Sequence, residues 1–525
     1  MNYDEIYRPL SRTSFASKMG RAFYASIETM SQNGQVESDI LRTKLLPEEI
    51  ETFVLNSVVA NEYSDRVMTD KQFIEVMNAI RNYQPPEYYE KLKKDHLKWI
   101  LPTIGAVQFE SQEYSYFRLY RHHCLFSFKN EHVDVDGEFR KKFDHSFDEY
   151  AAIVMTIQVL LAQKSLFANK DYLEKLNLRA PWFFENLMLT REQYKKELSQ
   201  FAKDKADYKY CLRPSYSYPF IEYQGKIFLP IPHLLIQSIT TAMMNRLTFE
   251  NLDLREKIGK NACEGYLLKM VKDSGLFDEV KAEYEYAKGQ RTLDIMARKG
   301  RIGLLIDSKL FSPKVSLRTY DEDSYERDVD RIVKALRQAY IQARDKFQHD
   351  YNPFDTDVED VYALVVAYQE GYLDLGEIYT RTAQKLSIAE DSAEFNWLWR
   401  HIGFTDVATI GRFLLTSTDI IPEVTSHEVI SDKWLTGRSG SELTDEVRHY
   451  QDKLTKDAEK ILHELYHGDG KQLNNENQDI KTITLPTPAI PTLPDQDRYN
   501  QLINKTTLTD EDREELARLY KKYTV

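Results

Sequence analysis

The stretch Arg291–Lys309, RTLDIMARKGRIGLLIDSK, carries most of the information on the fold. Two mainly apolar runs flank Lys299-Gly300, and a glycine between two such runs predicts a β-hairpin. Asp307 and Lys309 stand two residues apart at the end of the second run, so both side chains project from one face of a strand. Asp294 precedes the first run, and the hairpin would bring it to the same end as Asp307. The stretch therefore predicts two carboxylates and an ammonium group at one point.

The segments on either side of this hairpin predict an α/β core. A helix is expected over 251–272 and a long helix over 324–347. Between and after them, strand-like runs are expected at 279–287, 291–298, 301–309 and 361–368. Strands that alternate with helices through short turns are typical of α/β domains.

Two carboxylates beside an ammonium group suit a hard divalent cation. Mg²⁺ prefers oxygen ligands and usually takes one or two protein carboxylates, with substrate phosphate completing its shell. Lys309 could orient an attacking water or stabilise the charge that develops on phosphorus. The other interpretation of Asp307 and Lys309 is a strand that ends in an Asp-Ser turn with an exposed lysine.

Asp294, followed after a short turn by Asp307-x-Lys309 at the end of an apolar strand, resembles the PD-(D/E)xK nuclease superfamily. The resemblance covers about residues 250–370, with Leu293 in place of the proline of the motif. It implies a restriction-endonuclease-like mixed sheet with helices on both faces. It also implies hydrolysis of phosphodiester bonds with Mg²⁺, for which Mn²⁺ can substitute, by Asp294, Asp307 and Lys309.

Two further residues follow from the same resemblance. Glu264 occupies the place of the glutamate that assists the metal, so the implied metal ligands are Asp294, Asp307 and Glu264. Gln338 fits the glutamine or tyrosine that many members carry on the long helix. Glu283 and Glu285, on the first strand, compete with Glu264 as the third acid.

The implied substrate is nucleic acid, with DNA expected rather than RNA. The net charge of −13 argues against binding through the overall charge of the protein. Residues 281–320, however, hold nine Lys or Arg against four Asp or Glu. That basic island is either a nucleic-acid-binding face or a solvated sheet edge. Prokaryotic anti-phage defence or restriction is a setting that the resemblance suggests by analogy.

The organisation of the chain is expected to be a large, mainly helical N-terminal region, an α/β core and a helical tail. Expected units are a helical region (1–205), a hairpin with a connecting helix (206–248), the nuclease-like domain (249–425), a polar helix (426–467), a flexible linker (468–498) and a terminal amphipathic helix (499–525). The N-terminal region and the terminal helix are the candidate contacts for a partner protein or a second copy of the chain.

Composition excludes several other classes. Three cysteines far apart in sequence exclude a disulfide framework and a cysteine zinc ribbon. The longest apolar stretch, Tyr150–Gln163, is too short and too polar to cross a bilayer, so no membrane association is expected. The N-terminus lacks the basic-then-apolar pattern of a signal peptide. We expect a cytoplasmic protein.

Two alternatives to the nuclease stay open. His463-Glu464-Leu-Tyr-His467 is a literal HExxH, the zinc-metallopeptidase signature, but it lies at the end of a polar helix directly before the linker. At the C-terminus of a helix, histidine side chains also interact favourably with the helix dipole, and this is the structural interpretation of the motif. The second alternative is a helical interaction protein with an inactive nuclease core.

Overall fold

Apolar residues at three- and four-residue spacing make the N-terminal half of the chain helical. The computed structural model describes residues 3–30, 47–83, 115–162, 171–201, 213–313, 321–369, 371–416 and 443–467, with Leu45, Glu113 and scattered positions between 90 and 102. The helices before the first sheet are α1 (Asp4–Ser11), α2 (Phe15–Met30), α3 (Pro47–Val59), α4 (Asp70–Asn82), α5 (Ser115–Phe126), α6 (Val135–Phe143), α7 (Phe147–Ala162), α8 (Tyr172–Arg179) and α9 (Pro181–Leu187).

A small sheet contains the hairpin expected within residues 206–248 and a strand from the helical region. The hairpin strands pair antiparallel, and Gln224 and Gly225 both have positive φ in its turn (53° and 73°), as a tight hairpin turn requires. A further strand from the helical region pairs parallel with the first of them. These elements are β1 (Met188–Thr190), α10 (Arg191–Phe201), α11 (Arg213–Ser217), β2 (Phe220–Tyr223), β3 (Lys226–Phe228), α12 (Leu235–Ile239) and α13 (Thr241–Thr248).

The second half of the chain forms the expected α/β unit. One helix runs from α14 through a π turn, Ile258–Cys263, into α15, and a second π turn, Ile341–Lys346, follows α16. The elements are α14 (Leu252–Lys257), α15 (Glu264–Asp273), β4 (Glu279–Ala282), β5 (Glu285–Ala287), β6 (Gln290–Arg291), β7 (Ile295–Lys299), β8 (Ile302–Lys309), α16 (Glu322–Tyr340), β9 (Asp360–Ala367), α17 (Leu375–Leu386), α18 (Ala393–His401), β10 (Ile402–Asp406) and α19 (Val407–Thr416).

The central sheet has the order β10-β9-β8-β7-β4. β4, β7 and β8 pair antiparallel, and β8, β9 and β10 pair parallel. The connection from β8 to β9 runs through α16, which covers one face through residues such as Leu305 and Val365. α15 and α19 cover the other face through Leu304 and Ile306. The result is a mixed α/β unit with helices on both faces of its sheet, as expected.

Two expected strands are interrupted. The run 279–287 divides into β4 and β5, and the run 291–298 divides into β6 and β7, so β5 and β6 form a separate ribbon. The backbone N–H of Glu283 donates to the carbonyl of Asp294 (2.8 Å) at the point of division. Asp294 therefore precedes its strand rather than lying within it. β10, which joins the parallel edge of the sheet, was not expected from the sequence.

The helix expected over 426–467 is described as α20 (Asp445–His467). Its expected polar character is only partly right, because a stripe of its side chains packs against α7 in the helical core. The buried members of this stripe are Val447, Tyr450, Leu454, Ala458 and Leu462. The expected linker (468–498) and terminal helix (499–525) lie outside the described residues.

Among the described residues, no helix is both long enough and apolar enough to cross a membrane.

Candidate active site

The end of β8 places Asp307 and Lys309 on one face of the sheet. Both lie on the same face as Leu305, whose side chain packs under α16. The Asp307 side chain is 2% exposed, whereas that of Lys309 is 38% exposed, and Lys309 Nζ donates to Asp307 Oδ1 at 2.6 Å. Burying a carboxylate is costly unless it is paired, and the lysine supplies the pair while keeping contact with solvent. The motif is therefore a buried acid with a half-exposed cation.

Asp294 lies beside Asp307 because of the register of the hairpin. Ile295 and Ile306 form the last pair of the antiparallel ladder, and Asp294 and Asp307 are the residues directly beyond that pair. The backbone N–H of Ser308 donates to Asp294 Oδ2 at 2.6 Å and fixes that carboxylate. The structure thus brings together the two aspartates that the sequence predicts at one point.

The electrostatics of the pair reflect burial and mutual repulsion. Burial, followed by the charge of Asp307, raises the pKa of Asp294 to about 7. Burial also raises the pKa of Asp307, although Lys309 opposes that shift. Burial acts to lower the pKa of Lys309, but the carboxylates of Asp307, Asp294 and Glu264 outweigh it and raise that pKa. Two buried acids that resist ionisation side by side are a frequent feature of functional sites.

Glu264 approaches the same cluster from the helix above it. It is the first residue of α15, directly after the π turn Ile258–Cys263, and such turns often occur at functional sites. Burial raises the pKa of Glu264 to about 8, and the charges of Asp294 and Glu283 add to that increase. Lys260 and Lys309 act in the opposite direction. Glu264 therefore lies within electrostatic reach of Asp294.

The competing acids separate clearly in space. Glu283 is engaged by Arg291 (Oε2 to Nη1, 2.9 Å) and lies 3.8 Å from Lys260 Nζ. Its charge still reaches Asp294 and Glu264. Glu285 lies in the separate β5–β6 ribbon, where its carboxylate accepts from the backbone N–H of Gly289. Glu283 thus stays at the margin of the cluster, and Glu285 does not join it.

The expectation for Gln338 is not supported by its position. Gln338 lies on the exposed side of α16, next to exposed Arg337, whereas Ala335 and Ala339 face inward. The glutamine that faces inward is Gln342, in the π turn that follows α16. Its Nε2 donates to the carbonyl of Arg291 at 3.1 Å. Helical phase explains the difference, because a single residue identity does not reveal which side of a helix it occupies.

The two aspartates fit a divalent cation in one specific respect. Asp307 Oδ2 is buried and has no hydrogen-bond donor among the described residues, while the carboxyl group of Asp294 is within hydrogen-bonding reach of Asp307. Two facing acceptors need a proton or a cation between them. The described residues contain no group of three or more His, Cys, Asp or Glu side chains placed to hold a metal ion. Asp294, Asp307 and Glu264, the three ligands that the resemblance implies, therefore do not form such a group.

Two arginines beyond the motif also lie at this end of β8. Arg255 of α14 donates from Nη2 to the carbonyl of Leu310 at 3.1 Å. Arg331 of α16 has its guanidinium 5.8 Å from the centre of the Phe311 ring. Sequence reasoning missed both, because they are 76 positions apart and form no motif. A basic residue on each helix that flanks the Asp-x-Lys strand was the only available signal.

The buried contact between the helical region and the site involves His122. Its Nε2 lies 2.5 Å from the hydroxyl of Tyr368, whose backbone N–H donates to the carbonyl of Lys309 at 2.9 Å. Burial lowers the pKa of His122 well below its usual value, so the imidazole is neutral at pH 7. α5 is thereby attached to the backbone of Lys309.

The HExxH motif does not resemble a catalytic centre. Glu464 forms an ion pair with Arg179 of α8, and His463 is exposed on α20. The side chain of His467 lies outside the described residues. The residue that would act as the base in a zinc peptidase therefore has a structural partner.

Comparison of the chain with protein-family models, curated proteins and solved structures finds no match in any of the three. The assignment of function consequently rests on the geometry of the carboxylates and their neighbours.

Proposed function

We propose that this protein is a metal-dependent nuclease that hydrolyses phosphodiester bonds of nucleic acid, with Asp294, Asp307 and Lys309 at its centre. One observation carries the proposal. Two aspartates meet at the ends of adjacent strands, one with a buried and unpaired oxygen, and a half-exposed lysine pairs with the other oxygen. A cation could take the place of a proton between the two acids, and the lysine brings a positive charge to the solvent side.

The order of the strands supports a restriction-endonuclease-like core as part of the proposal. Three antiparallel strands, β4, β7 and β8, are followed by a crossover through α16 to β9, parallel to β8. This is the arrangement that the resemblance to PD-(D/E)xK nucleases implies. Asp294 directly precedes the second of these strands and Asp307 lies on the third, at their common end.

Each residue has a role that its surroundings allow. Asp294 and Asp307 would hold Mg²⁺, or Mn²⁺ in its place. The ion would supply a polarised water and neutralise charge on the phosphate. Lys309 lies between the acids and solvent, where its ammonium can orient a nucleophile or stabilise the developing negative charge. Glu264, with its raised pKa, is suited to exchange a proton at its carboxyl oxygen near neutral pH.

DNA is the substrate that we propose first, with RNA as an outcome that the assay resolves. The basic residues around β7 and β8 would supply local attraction for the phosphate backbone, which makes binding sensitive to salt. A cytoplasmic role in prokaryotic defence is part of the proposal by analogy. The helical region and the terminal helix are the surfaces that we propose for contact with a partner or a second copy.

The test is a cleavage assay on plasmid, single-stranded DNA and RNA in Mg²⁺ or Mn²⁺, with and without EDTA. Asp307→Ala and Lys309→Ala should each reduce cleavage by at least about a hundredfold, because each removes a charge that acts on the transition state. Matched controls are Asp330→Ala and Lys334→Ala, which remove the same charges from exposed positions of α16. Cleavage by Asp307→Ala and Lys309→Ala at the level of these controls would show that this is not the active site.

A further inference from the structure

Arg255 and Arg331 lie on either side of the chain that leaves β8. Arg255 is fixed by two donated hydrogen bonds, from Nη1 to Thr248 Oγ1 (3.2 Å) and from Nη2 to the carbonyl of Leu310 (3.1 Å). Arg331 lies over Phe311, the next residue along the chain. Since a strand advances about 3.3 Å per residue, the two guanidinium groups flank positions that are within about 7 Å of Lys309 along the backbone.

The two arginines form a positive site that carboxylates compensate only in part. Among the described residues, Arg255 makes no ion pair with a carboxylate, and burial together with the charge of Arg331 lowers its pKa. The Nη1 of Arg331 lies 3.8 Å from Asp328 Oδ1, at the outer limit of an ion pair. The Arg331 side chain is 55% exposed, so its donors remain accessible to a ligand. Two like charges held together cost stability, and an anion bound between them would offset that cost.

The anion that suits this pair is a phosphate group. A guanidinium presents its N–H groups in a planar fork that matches the oxygens of a phosphate. Two guanidinium groups can therefore bind one phosphate from opposite sides. The close approach of the helix to the strand maintains this geometry. A Cβ at Gly259, in the π turn after α14, would lie only 3.2 Å from Leu310 Cβ.

We infer that Arg255 and Arg331 form a phosphate-binding subsite beside the aspartate pair, and that its ligand is a backbone phosphate next to the one that is cleaved. The assignment of the ligand to a nucleic-acid backbone rests on the proposed function, whereas the phosphate-binding subsite itself does not. The same two arginines would also bind free inorganic phosphate, so the two sources need separate measurements.

The first measurement uses inorganic phosphate with the full-length protein in EDTA. Phosphate at matched ionic strength should raise the melting temperature of the parent and of Arg337→Ala, a control that removes one exposed arginine from the same helix. Arg331→Ala should weaken the apparent affinity for phosphate about tenfold, as expected for the loss of one charge-assisted contact. Equal responses of Arg331→Ala and Arg337→Ala, or no response of the parent, would overturn the subsite.

The second measurement uses a labelled oligodeoxynucleotide, again in EDTA, so that no cleavage occurs. Arg331→Ala should bind more weakly than Arg337→Ala, and the dependence of log affinity on log salt should become shallower by about 1. Arg255→Lys should also bind more weakly, because it keeps the charge but loses the fork. If Arg331→Ala loses affinity for inorganic phosphate but binds the oligonucleotide as tightly as Arg337→Ala does, the ligand of the subsite is not a backbone phosphate. Failure of the cleavage assay with normal results here would instead overturn the proposed nuclease.

Discussion

Replacing Asp294 with asparagine should stabilise the metal-free protein at alkaline pH while abolishing cleavage. Asparagine has nearly the same shape, and its Oδ1 can still accept the hydrogen bond from the Ser308 N–H. The substitution removes the negative charge that faces Asp307. The destabilising part of the site is therefore lost while the surrounding contacts remain.

The magnitude follows from the pKa of Asp294, which is 3.8 in its usual environment and about 7 here. A carboxyl whose pKa is raised by folding holds its proton more tightly in the folded chain. Its contribution to stability is thus complete below about pH 3.8 and is lost as the pH rises through about 7. Three pKa units at about 1.4 kcal/mol each set an upper bound of about 4 kcal/mol. The pKa of Asp307 is also raised, so the repulsion is divided between the two acids, and the half-exposed Lys309 keeps the site in contact with solvent. We therefore expect roughly half of that bound, about 2 kcal/mol.

The assay is urea unfolding of the full chain in EDTA at pH 5 and at pH 8. Relative to the parent, Asp294→Asn should gain unfolding free energy at pH 8 and less than half as much at pH 5, because pH 5 lies only about one unit above the usual pKa of 3.8. Adding Mg²⁺ at pH 8 should stabilise the parent and not the variant, because the cation neutralises the pair only when both charges are present. The control is Asp330→Asn, an exposed aspartate of α16. A pH dependence that is identical in parent and Asp294→Asn would refute the claim that Asp294 is a buried, destabilised acid.

Four further predictions concern the neighbouring acids, the HExxH histidines, the tail and the last helix. Glu283→Gln should alter the pH dependence of cleavage through its charge on Asp294, whereas Glu285→Gln should match the parent; a larger effect from Glu285 would reverse our ranking. His463→Ala combined with His467→Ala should leave cleavage unchanged, and complete loss would mean that the HExxH helix takes part. A chain that ends at residue 467 should fold and keep its metal site while its assembly or regulation changes, as measured by light scattering and cleavage. In contrast, Leu454→Ala should destabilise the protein by roughly 2–5 kcal/mol in urea, because that side chain is fully buried against α7.

Local chemistry made the central hairpin predictable. The two mainly apolar runs and Lys299-Gly300 predict it, and Gly300 adopts a positive φ of 57° in the turn. The register of the hairpin alone places Asp294 opposite Asp307, so the aspartate pair follows from the pattern of residues in the hairpin. The ion pair of Lys309 with Asp307 follows from their spacing of two along one strand.

The features that the sequence did not reveal depend on distant parts of the chain. β10 is a strand because it extends the parallel edge beside β9, and its own five residues carry little periodicity. Whether Gln338 faces the sheet or solvent depends on which side of α16 packs on the sheet. The pair of Arg255 and Arg331 exists only because two helices flank the same strand end. Such information is tertiary and leaves no local pattern.

The π turn Ile258–Cys263 makes the length of its helix as important as its composition. Residues 255 and 264 are nine positions apart, and on an uninterrupted α-helix they would point in directions about 180° apart, at about 100° per residue. One extra residue in a π turn reduces that angle to about 80°. A single helix can then serve two neighbouring sites, with Arg255 beside Leu310 and Glu264 within electrostatic reach of Asp294. Deleting one residue from this turn would rotate one half against the other, so this segment should tolerate exchanges of side chains far better than changes in length.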